Sequence, residues 1–190
     1  MISLLIPTIN RSGFIIKYLQ YLNENGFEGE VLVGDSSGQE HYKKTQAFIR
    51  DFDCKFGVRQ YSHPKISAHQ SIKLMLDDVK YPYCMFIGDD DILIPSTLKK
   101  CVKFLDSNPN YSGVGGITIA ADINANNHDL IDLTWKYGVG EILDESAAER
   151  LSNYMNSYSV IAYSLARIQQ FKKRWPKYVG LSNQIIGIEL

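Results

Sequence analysis

The chain has 190 residues, and its 20 basic and 21 acidic side chains give a formal net charge of −1. Hydrophobic residues make up 45% of it and charged residues 22%, which is typical of a globular protein and argues against a disordered one. The near-neutral charge argues against a nucleic-acid partner, and the apolar runs are too short for a transmembrane segment. No basic segment precedes the first apolar run, so we expect no signal peptide and a soluble, cytoplasmic protein.

The three cysteines, Cys54, Cys84 and Cys101, all lie in apolar surroundings. Their odd number argues against a disulfide framework, and their spacing is not that of metal ligands. The pattern predicts buried thiols in a reducing compartment, which agrees with a cytoplasmic location.

The first half of the sequence alternates between buried strands and amphipathic helices. The strands are nearly continuous apolar runs with many β-branched residues, and the helices place apolar residues every three or four positions. Strands are predicted over 2–6, 30–33, 54–61 and 83–87, and helices from 12 to a stop at Gly26, over 42–52, over 67–79, and from 95 to before Pro109. Four strand–helix units in succession predict an α/β protein with a parallel sheet and helices on its faces.

The pattern is looser after Pro109. We expect a strand over 114–120, a polar loop over 121–128, a helix over 144–155 with Asp144 as its N-cap, and a strand over 159–165 that leads into a basic helix. No repeat or linker divides the sequence, which therefore predicts a single domain over residues 1–190.

Three segments that follow predicted strands, 7–11, 34–37 and 88–91, are rich in polar residues and glycine. In an open parallel sheet, ligands bind outside the carboxyl ends of the strands. These three segments therefore predict the position of a binding site.

Asp89, Asp90 and Asp91 form an acidic triplet directly after the fourth predicted strand. At a separation of about 5 Å and an effective dielectric constant of about 20, each pair of like charges costs roughly 3 kcal/mol. A hard divalent cation such as Mg²⁺ or Mn²⁺ would remove that cost. The alternatives are a solvated acidic turn, or charges that favour the N-terminus of the helix beginning near Pro95; the position at a strand end favours the metal site.

Asp35 follows the second predicted strand and precedes a Ser-Ser-Gly turn. A carboxylate there can accept hydrogen bonds from a base or a ribose, or it can stabilise the turn by bonding its own backbone. Thr8, Asn10 and Arg11 could donate hydrogen bonds to a nucleotide, or they could simply precede the first helix. The residues alone leave these alternatives open.

Taken together, the three strand-end motifs resemble the successive signatures of family 2 glycosyltransferases of the GT-A fold. The motifs are ISLLIPTINR at 2–11, VLVGDSS at 31–37 and FIGDDDILIP at 86–95, and their order and spacing agree over roughly the first 120 residues. The resemblance implies a Rossmann-like sandwich with a mostly parallel central sheet and helices on both faces. It also implies a nucleotide-diphosphate-sugar donor, such as a UDP-sugar, a Mn²⁺ or Mg²⁺ ion, and transfer to an acceptor hydroxyl of a glycan, a lipid-linked or another molecule.

The resemblance assigns the donor-binding residues position by position. It implies that residues 1–110 bind the nucleotide-sugar and the metal, and that residues 111–190 form the acceptor side. The implied nucleotide-binding residues are Pro7 and Thr8 in the nucleoside pocket, Arg11 near it, and Asp35 on the base.

The acidic set departs from the usual motif, which often begins with Asp where Gly88 stands here. The metal ligands are therefore assigned to Asp89, Asp90 and Asp91, with Asp90 as the principal one and Asp89 also beside the ribose.

The segment before the third helix usually offers a basic residue and an Asn near the diphosphate. Lys65, His69 and Gln70 are the nearest candidates here. A histidine at the start of an amphipathic helix is more often structural, which is the alternative for His69.

Inverting transfer requires a carboxylate that takes the proton of the acceptor. In the family this residue lies roughly a hundred positions after the metal motif, so the resemblance points to Glu189, with Asp129 and Asp132 as weaker candidates. Asp90 and Asp91 complete the catalytic set through the metal, which stabilises the departing diphosphate. A helix-surface role is the alternative for Glu189.

A basic stretch at 167–178 also contains aromatic residues and no acid. It could attract an anionic acceptor or the inner face of a membrane, or it could be a solvated helix end. The sequence also ends where enzymes of this resemblance usually continue, which suggests a fragment or a minimal catalytic domain.

Two other functions compete with glycosyl transfer. A nucleotidyltransferase on a similar sheet would require a Gly-rich, Lys-bearing loop after the first strand, and 7–11 has neither. A non-catalytic nucleotide-sugar-binding module would need no general base.

Overall fold

The first half of the chain folds into strand–helix units because continuous apolar runs alternate with segments whose apolar residues recur every three or four positions. The structure is a computed structural model and describes residues 1–124, 130–137, 140–156 and 163–175. Its first elements are β1 (Ile2–Thr8), α1 (Ser12–Glu24), β2 (Gly29–Asp35), α2 (Gln39–Asp51), β3 (Gly57–Ser62), α3 (Ala68–Met75), β4 (Tyr83–Phe86) and α4 (Pro95–Ser107). The predicted alternation is present throughout.

The elements after α4 are shorter. They are β5 (Gly113–Val114), β6 (Thr118–Ile123), β7 (Leu130–Tyr137), α5 (Ala147–Asn156), β8 (Leu165–Arg167) and α6 (Ile168–Arg174). Among the described residues, six strands form one sheet in the order β3-β2-β1-β4-β8-β5, and β6 pairs with β7 in a separate hairpin. The strands β3, β2, β1 and β4 are parallel, while β8 is antiparallel to both β4 and β5. The mostly parallel α/β sheet that the sequence predicts is therefore confirmed.

Successive residues of β1 point to opposite faces of the sheet. Both faces are apolar, and helices cover each of them. Leu4 and Ile6 are fully buried in a cluster that includes Ile15 and Leu19 of α1 and residues of α4. Leu5 is buried on the other face, in a cluster with α3 and α6. β1 thus lies at the centre of a three-layer arrangement, which is the architecture expected for parallel strands.

Three details of the second half differ from the predictions. The strand expected over 114–120 is split at Gly115 and Gly116, because β5 joins the large sheet while β6 turns away to pair with β7. The loop expected over 121–128 is strand up to Ile123. The strand expected over 159–165 begins at Leu165, and residues 157–162 lie outside the described part.

The cap of α5 also differs from the prediction, because Ser146 and not Asp144 precedes the helix. The backbone N–H of Glu149 donates to Ser146 Oγ at 3.2 Å, and the backbone N–H of Ser146 donates to Glu149 Oε2 at 3.2 Å. This reciprocal pair is a capping box. The Asp144 carboxylate instead accepts from the amide of Asn153 at 2.7 and 2.8 Å.

Arg167, the first residue of the basic stretch at 167–178, forms hydrogen bonds within the fold. The Arg167 guanidinium donates to the carbonyl oxygens of Leu105, Asn108 and Tyr111 at 2.6, 3.2 and 2.9 Å. These carbonyls lie at or just beyond the end of α4, so Arg167 caps its C-terminus. A second basic residue of this stretch, Lys172, lies 3.7 Å from the carboxylate of Asp77.

Among the described residues, no helix is both long enough and apolar enough to span a membrane.

Replacing Arg167 by Met should lower the free energy of unfolding by about 2 kcal/mol, because it leaves half-buried carbonyl groups without their donors. Lys173→Met is the matched control, since Lys173 is an exposed basic residue of α6, the helix that follows Arg167. Urea unfolding followed by circular dichroism measures both. Equal midpoints for the two variants would contradict the capping role.

Candidate functional site

The order of the parallel strands creates a switch point between β1 and β4. From β1 the chain proceeds through β2 to β3 in one direction, whereas β4 lies on the other side of β1. The loops that leave β1 and β4 therefore diverge to opposite sides, and a crevice opens between their carboxyl ends. Residues 8–11 and 89–91 occupy this position, as the sequence predicts for a binding site.

Asp89 connects the two loops through a buried carboxylate. It is 7% exposed, and its Oδ2 accepts a hydrogen bond from Thr8 Oγ1 at 2.6 Å. Its Oδ1 accepts from Nη1 of Arg11 at 2.8 Å. Both oxygens of this carboxylate are thus bonded to residues that follow or end β1.

Arg11 bridges two members of the acidic triplet. Its Nη1 donates to Asp89 Oδ1 and to Asp90 Oδ2, each at 2.8 Å. Hydrogen bonds with Asp90 and then with Asp89 raise the pKa of the guanidinium above its ordinary value. Arg11 also lies 5.2 Å from the centre of the Phe14 ring, a cation–π distance. In this state, part of the repulsion between the carboxylates is balanced by a cation of the chain itself.

The loop after β1 has a backbone shape that a neighbouring loop supports. Asn10 has a φ of +55°, a conformation in which Asn is enriched. Its backbone N–H donates to Ser37 Oγ at 2.7 Å, and its side-chain oxygen accepts from the N–H of Gly38 at 2.9 Å. The loops after β1 and β2 are therefore tied together, which sets the starting point of the Arg11 side chain.

A residue of α1 contacts the loop after β4, which carries the acidic triplet. The hydroxyl group of Tyr21 donates to the carbonyl of Leu93 at 3.1 Å. Tyr18 lies stacked beside Tyr21 with ring centres 6.3 Å apart, and burial raises the pKa of its hydroxyl group well above the usual range. Tyr21 of α1 thus supports the loop after β4, and Tyr18 packs beside it.

Asp35 lies at the end of β2 and is almost completely buried. Its Oδ1 accepts from the backbone N–H of Ser37 at 2.9 Å, which is the turn-stabilising bond considered in the sequence. Its Oδ2 accepts from the side-chain amide of Gln60 at 2.8 Å. Gln60 was not predicted as a site residue, because it is one of several polar residues in the predicted strand over 54–61 and nothing in the sequence distinguishes it.

A cleft with a volume of about 290 Å³ opens beside Thr8 and Asp89. It brings together four of the residues that the sequence assigns to donor binding, Pro7, Thr8, Arg11 and Asp89. The remaining lining residues are Ile9, Ser36, Ile66, Ser67 and Ala68.

The far wall of this cleft is the start of α3. Ser67 is its N-cap and forms a capping box with Gln70, so the wall ends at a helix N-terminus. The resemblance places the segment before this helix near the diphosphate, but the N-cap role of Ser67 was not predicted, although the Ser-x-x-Gln spacing at 67–70 is a signal that identifies such a cap.

The structure places Lys65 and His69 near this wall but gives them different surroundings. Lys65 is exposed and has a φ of +62°. The His69 ring stacks on Trp175 with centres 5.5 Å apart, and its carbonyl accepts from Trp175 Nε1 at 3.0 Å. Burial lowers the pKa of this histidine. The His69 ring therefore packs against the indole of Trp175, at the end of α6, and is not among the residues that line the cleft.

The acidic triplet offers oxygen ligands, although no three Asp, Glu, His or Cys residues converge within the described part of the chain. A Cβ atom built on Gly88 would lie 2.6 Å from Asp91 Oδ2 and 3.1 Å from Asp90 Oδ1. Two carboxylates thus approach a common point that the missing side chain leaves open. Mg²⁺ and Mn²⁺ bind to one or two carboxylates together with phosphate oxygens, so this donor set fits them.

The candidates for the general base cannot be placed at the site. Glu189 and Asp129 lie outside the described residues. Asp132 lies in β7, where its backbone pairs with Asp122 of β6.

Solved structures with a similar arrangement include two glycosyltransferases. S. aureus TarS 1-349 in complex with UDP-GlcNAc is 19% identical with a TM-score of 0.56, over 90% of this chain and 46% of that chain. The mannosyltransferase PcManGT from Pyrobaculum calidifontis, in complex with GDP-Man and Mn²⁺, is 18% identical with a TM-score of 0.51, over 60% of this chain and 34% of that chain. The fold is that of GT-A glycosyltransferases. This chain spans less than half the length of either.

A further similar structure is 4-diphosphocytidyl-2C-methyl-D-erythritol synthase from Anaerococcus prevotii. It is 9% identical with a TM-score of 0.52, and the match covers 98% of this chain and 80% of that chain. No protein-family model and no curated protein matches the chain. At these identities the similarity establishes the Rossmann-like GT-A architecture that the motifs imply, and it establishes no activity.

Substitution of two buried threonines measures how much the Thr8–Asp89 hydrogen bond contributes to stability. Thr8→Val should lower the free energy of unfolding by about 2 kcal/mol, since it removes a hydrogen bond to a buried charge. Thr45→Val should be neutral or stabilising, because its fully buried hydroxyl has no partner among the described residues. Chemical unfolding of both variants measures the difference, and an equal loss in the two would contradict this role of Thr8.

Proposed function

We propose that the chain is a metal-dependent, inverting glycosyltransferase domain that uses a UDP-sugar or a related nucleotide-diphosphate-sugar. The observation that carries the proposal is the contact of Thr8 and Arg11 with Asp89 and Asp90 beside a cleft at the switch point. The GT-A fold supports it, as do the UDP-GlcNAc and GDP-Man bound to the similar transferases.

The cleft has the chemistry that a nucleoside diphosphate requires. Pro7, Ile9 and Ile66 supply apolar surface for the nucleoside, and Arg11 supplies a guanidinium that can bind phosphate through two hydrogen bonds. In this proposal Asp35 receives the base at the end of β2, where its buried carboxylate is held by Ser37 and Gln60 and is not among the residues that line the cleft.

The diphosphate would lie against the start of α3 in this proposal. Lys65 precedes Ile66 of the cleft wall and would reach the diphosphate. His69 would contribute by holding the start of α3 through its contact with Trp175.

Asp90 and Asp91 would hold the divalent cation, with Asp89 beside it and beside the ribose. The bound metal would stabilise the negative charge that grows on the departing diphosphate. The chain's own part is to fix the carboxylates: Thr8 orients Asp89, and α1 supports the loop through Tyr21. These contacts keep the ligands ready without a large rearrangement.

The acceptor side is assigned to residues 111–190. Glu189 is proposed as the base that removes the proton of the acceptor hydroxyl, with Asp129 and Asp132 as the alternatives. The basic residues that follow Arg167 would face an anionic acceptor or the inner face of the cytoplasmic membrane, whereas Arg167 itself is occupied by the end of α4.

Calorimetric titration with UDP in the presence of Mn²⁺ tests the donor site. Asp90→Asn should weaken the binding of UDP about tenfold or more, which equals about 1.4 kcal/mol, because the variant loses a charged metal ligand. Asp53→Asn is the charge-matched control, since Asp53 is exposed between α2 and β3, away from the cleft. Equal affinity for the Asp90 variant and the wild type would refute the metal role.

A nucleotidyltransferase is the second candidate, and the extent of the match to the diphosphocytidyl synthase favours considering it. Such an enzyme would release pyrophosphate from a nucleoside triphosphate, whereas the proposed transferase would slowly hydrolyse a UDP-sugar without any acceptor. Incubation with each nucleotide separates the two. Binding of UDP with neither reaction would support a non-catalytic binding module.

A further inference from the structure

We propose that Arg11 and a divalent cation compete for the carboxylates of Asp89 and Asp90, so that metal binding is coupled to the arrival of the diphosphate. Arg11 is the counter-ion of the two carboxylates and becomes a phosphate ligand when the diphosphate binds. This inference rests on the proposed function, and its experiment separates the two.

The competition follows from the position of a single nitrogen atom. Nη1 of Arg11 lies 2.8 Å from Asp89 Oδ1 and 2.8 Å from Asp90 Oδ2. A metal ion bound through the other oxygen of Asp90, Oδ1, would meet the positive charge of Arg11 at close range, and at Asp89 Oδ1 or Asp90 Oδ2 it would compete with the hydrogen bonds of Arg11. The remaining oxygen of Asp89 is bonded to Thr8. A metal therefore gains full access to Asp89 and Asp90 only when Arg11 moves.

Arg11 is able to move because nearly half of its side chain is exposed to solvent. Its side chain is 45% exposed, and the residue is the N-cap of α1, so its backbone lies at the edge of the helix. Asp89 is buried and held by Thr8, which keeps the carboxylate in place when the guanidinium leaves.

The cleft supplies the alternative partner for the guanidinium. Arg11 and Asp89 both line it, so a diphosphate in the cleft lies within the reach of Arg11. The planar guanidinium forms paired hydrogen bonds with phosphate oxygens as readily as with carboxylates. A diphosphate can thus replace the two carboxylates as the anionic partner of Arg11. The carboxylates are then available to the metal.

This exchange makes the binding of the metal and of the nucleotide mutually dependent. The nucleotide raises the affinity for the metal, and by linkage the metal raises the affinity for the nucleotide by the same factor. One part of that coupling is direct contact between metal and phosphate. The part assigned here to Arg11 is the removal of a competitor, and only this part disappears when Arg11 is replaced.

The test measures the affinity for Mn²⁺ alone by the electron paramagnetic resonance signal of the free ion. Arg11→Met should bind Mn²⁺ about fivefold more tightly than the wild type, the factor expected for loss of an ion pair of this exposure. Arg50→Met is the matched control, because Arg50 is an exposed arginine paired with Asp51 outside the site, and it should behave as the wild type. UDP should raise the Mn²⁺ affinity of the wild type by a larger factor than that of Arg11→Met.

Equal or weaker binding of Mn²⁺ by Arg11→Met, with UDP and Mn²⁺ still bound by the wild type, overturns the competition and leaves the proposed function standing. Failure of the wild type to bind UDP with Mn²⁺ overturns both. If circular dichroism shows that Arg11→Met is unfolded, Arg11→Lys replaces it, because one ammonium group cannot reproduce the bridge as well. That variant should bind Mn²⁺ about twofold more tightly than the wild type, and equal affinity counts against the competition.

Discussion

A carboxylate buried at the end of a strand requires partners, and Asp89 finds them on the neighbouring strand. Its two oxygens are bonded to Thr8 and Arg11, which connect the loop after β4 to the loop after β1. The crevice between these strands exists because the chain reverses its strand order there. The contact therefore joins the topology of the sheet to the chemistry of the site, since it fixes where the other two carboxylates of the triplet begin.

The supporting elements share one function, which is to hold short polar loops at a fixed edge of a rigid sheet. Asn10 ties the loop after β1 to the loop after β2, and Tyr21 supports the loop after β4. The start of α3 forms the opposite wall of the cleft, and Trp175 packs against it through His69. Sites held in this way on the ends of strands lose little entropy when a ligand binds.

The sequence predicts the parallel part of the fold because the strands of that part are buried on both faces and the helices have clear apolar stripes. It also predicts which strand ends meet, since polar residues and glycine accumulate there. It fails where long-range contacts decide the structure. β5 and β6 form one apolar segment in the sequence but separate into two sheets, and Arg167 belongs to the end of α4. Neither fact follows from a local pattern.

Within the site, the sequence finds the charged residues but not the bonds between them. The acidic triplet suggests three converging metal ligands. In the structure Asp89 is bonded to Thr8 and Arg11, Arg11 also bonds Asp90, and the second oxygen of Asp90 lies with Asp91 near Gly88. The partner of Asp35, Gln60, comes from a strand whose sequence shows no functional signal. Such pairings depend on register between strands, which a single sequence does not display.

The central claim is that the edge between β1 and β4 binds a nucleoside diphosphate together with a divalent cation. A crystal structure of the protein soaked with UDP and Mn²⁺ tests it most directly. The account predicts the diphosphate in the cleft between residues 7–11 and 66–68, with the metal bound directly to a carboxylate oxygen of Asp90. A nucleotide bound elsewhere on the chain, with Arg11 still bridging Asp89 and Asp90, would contradict it.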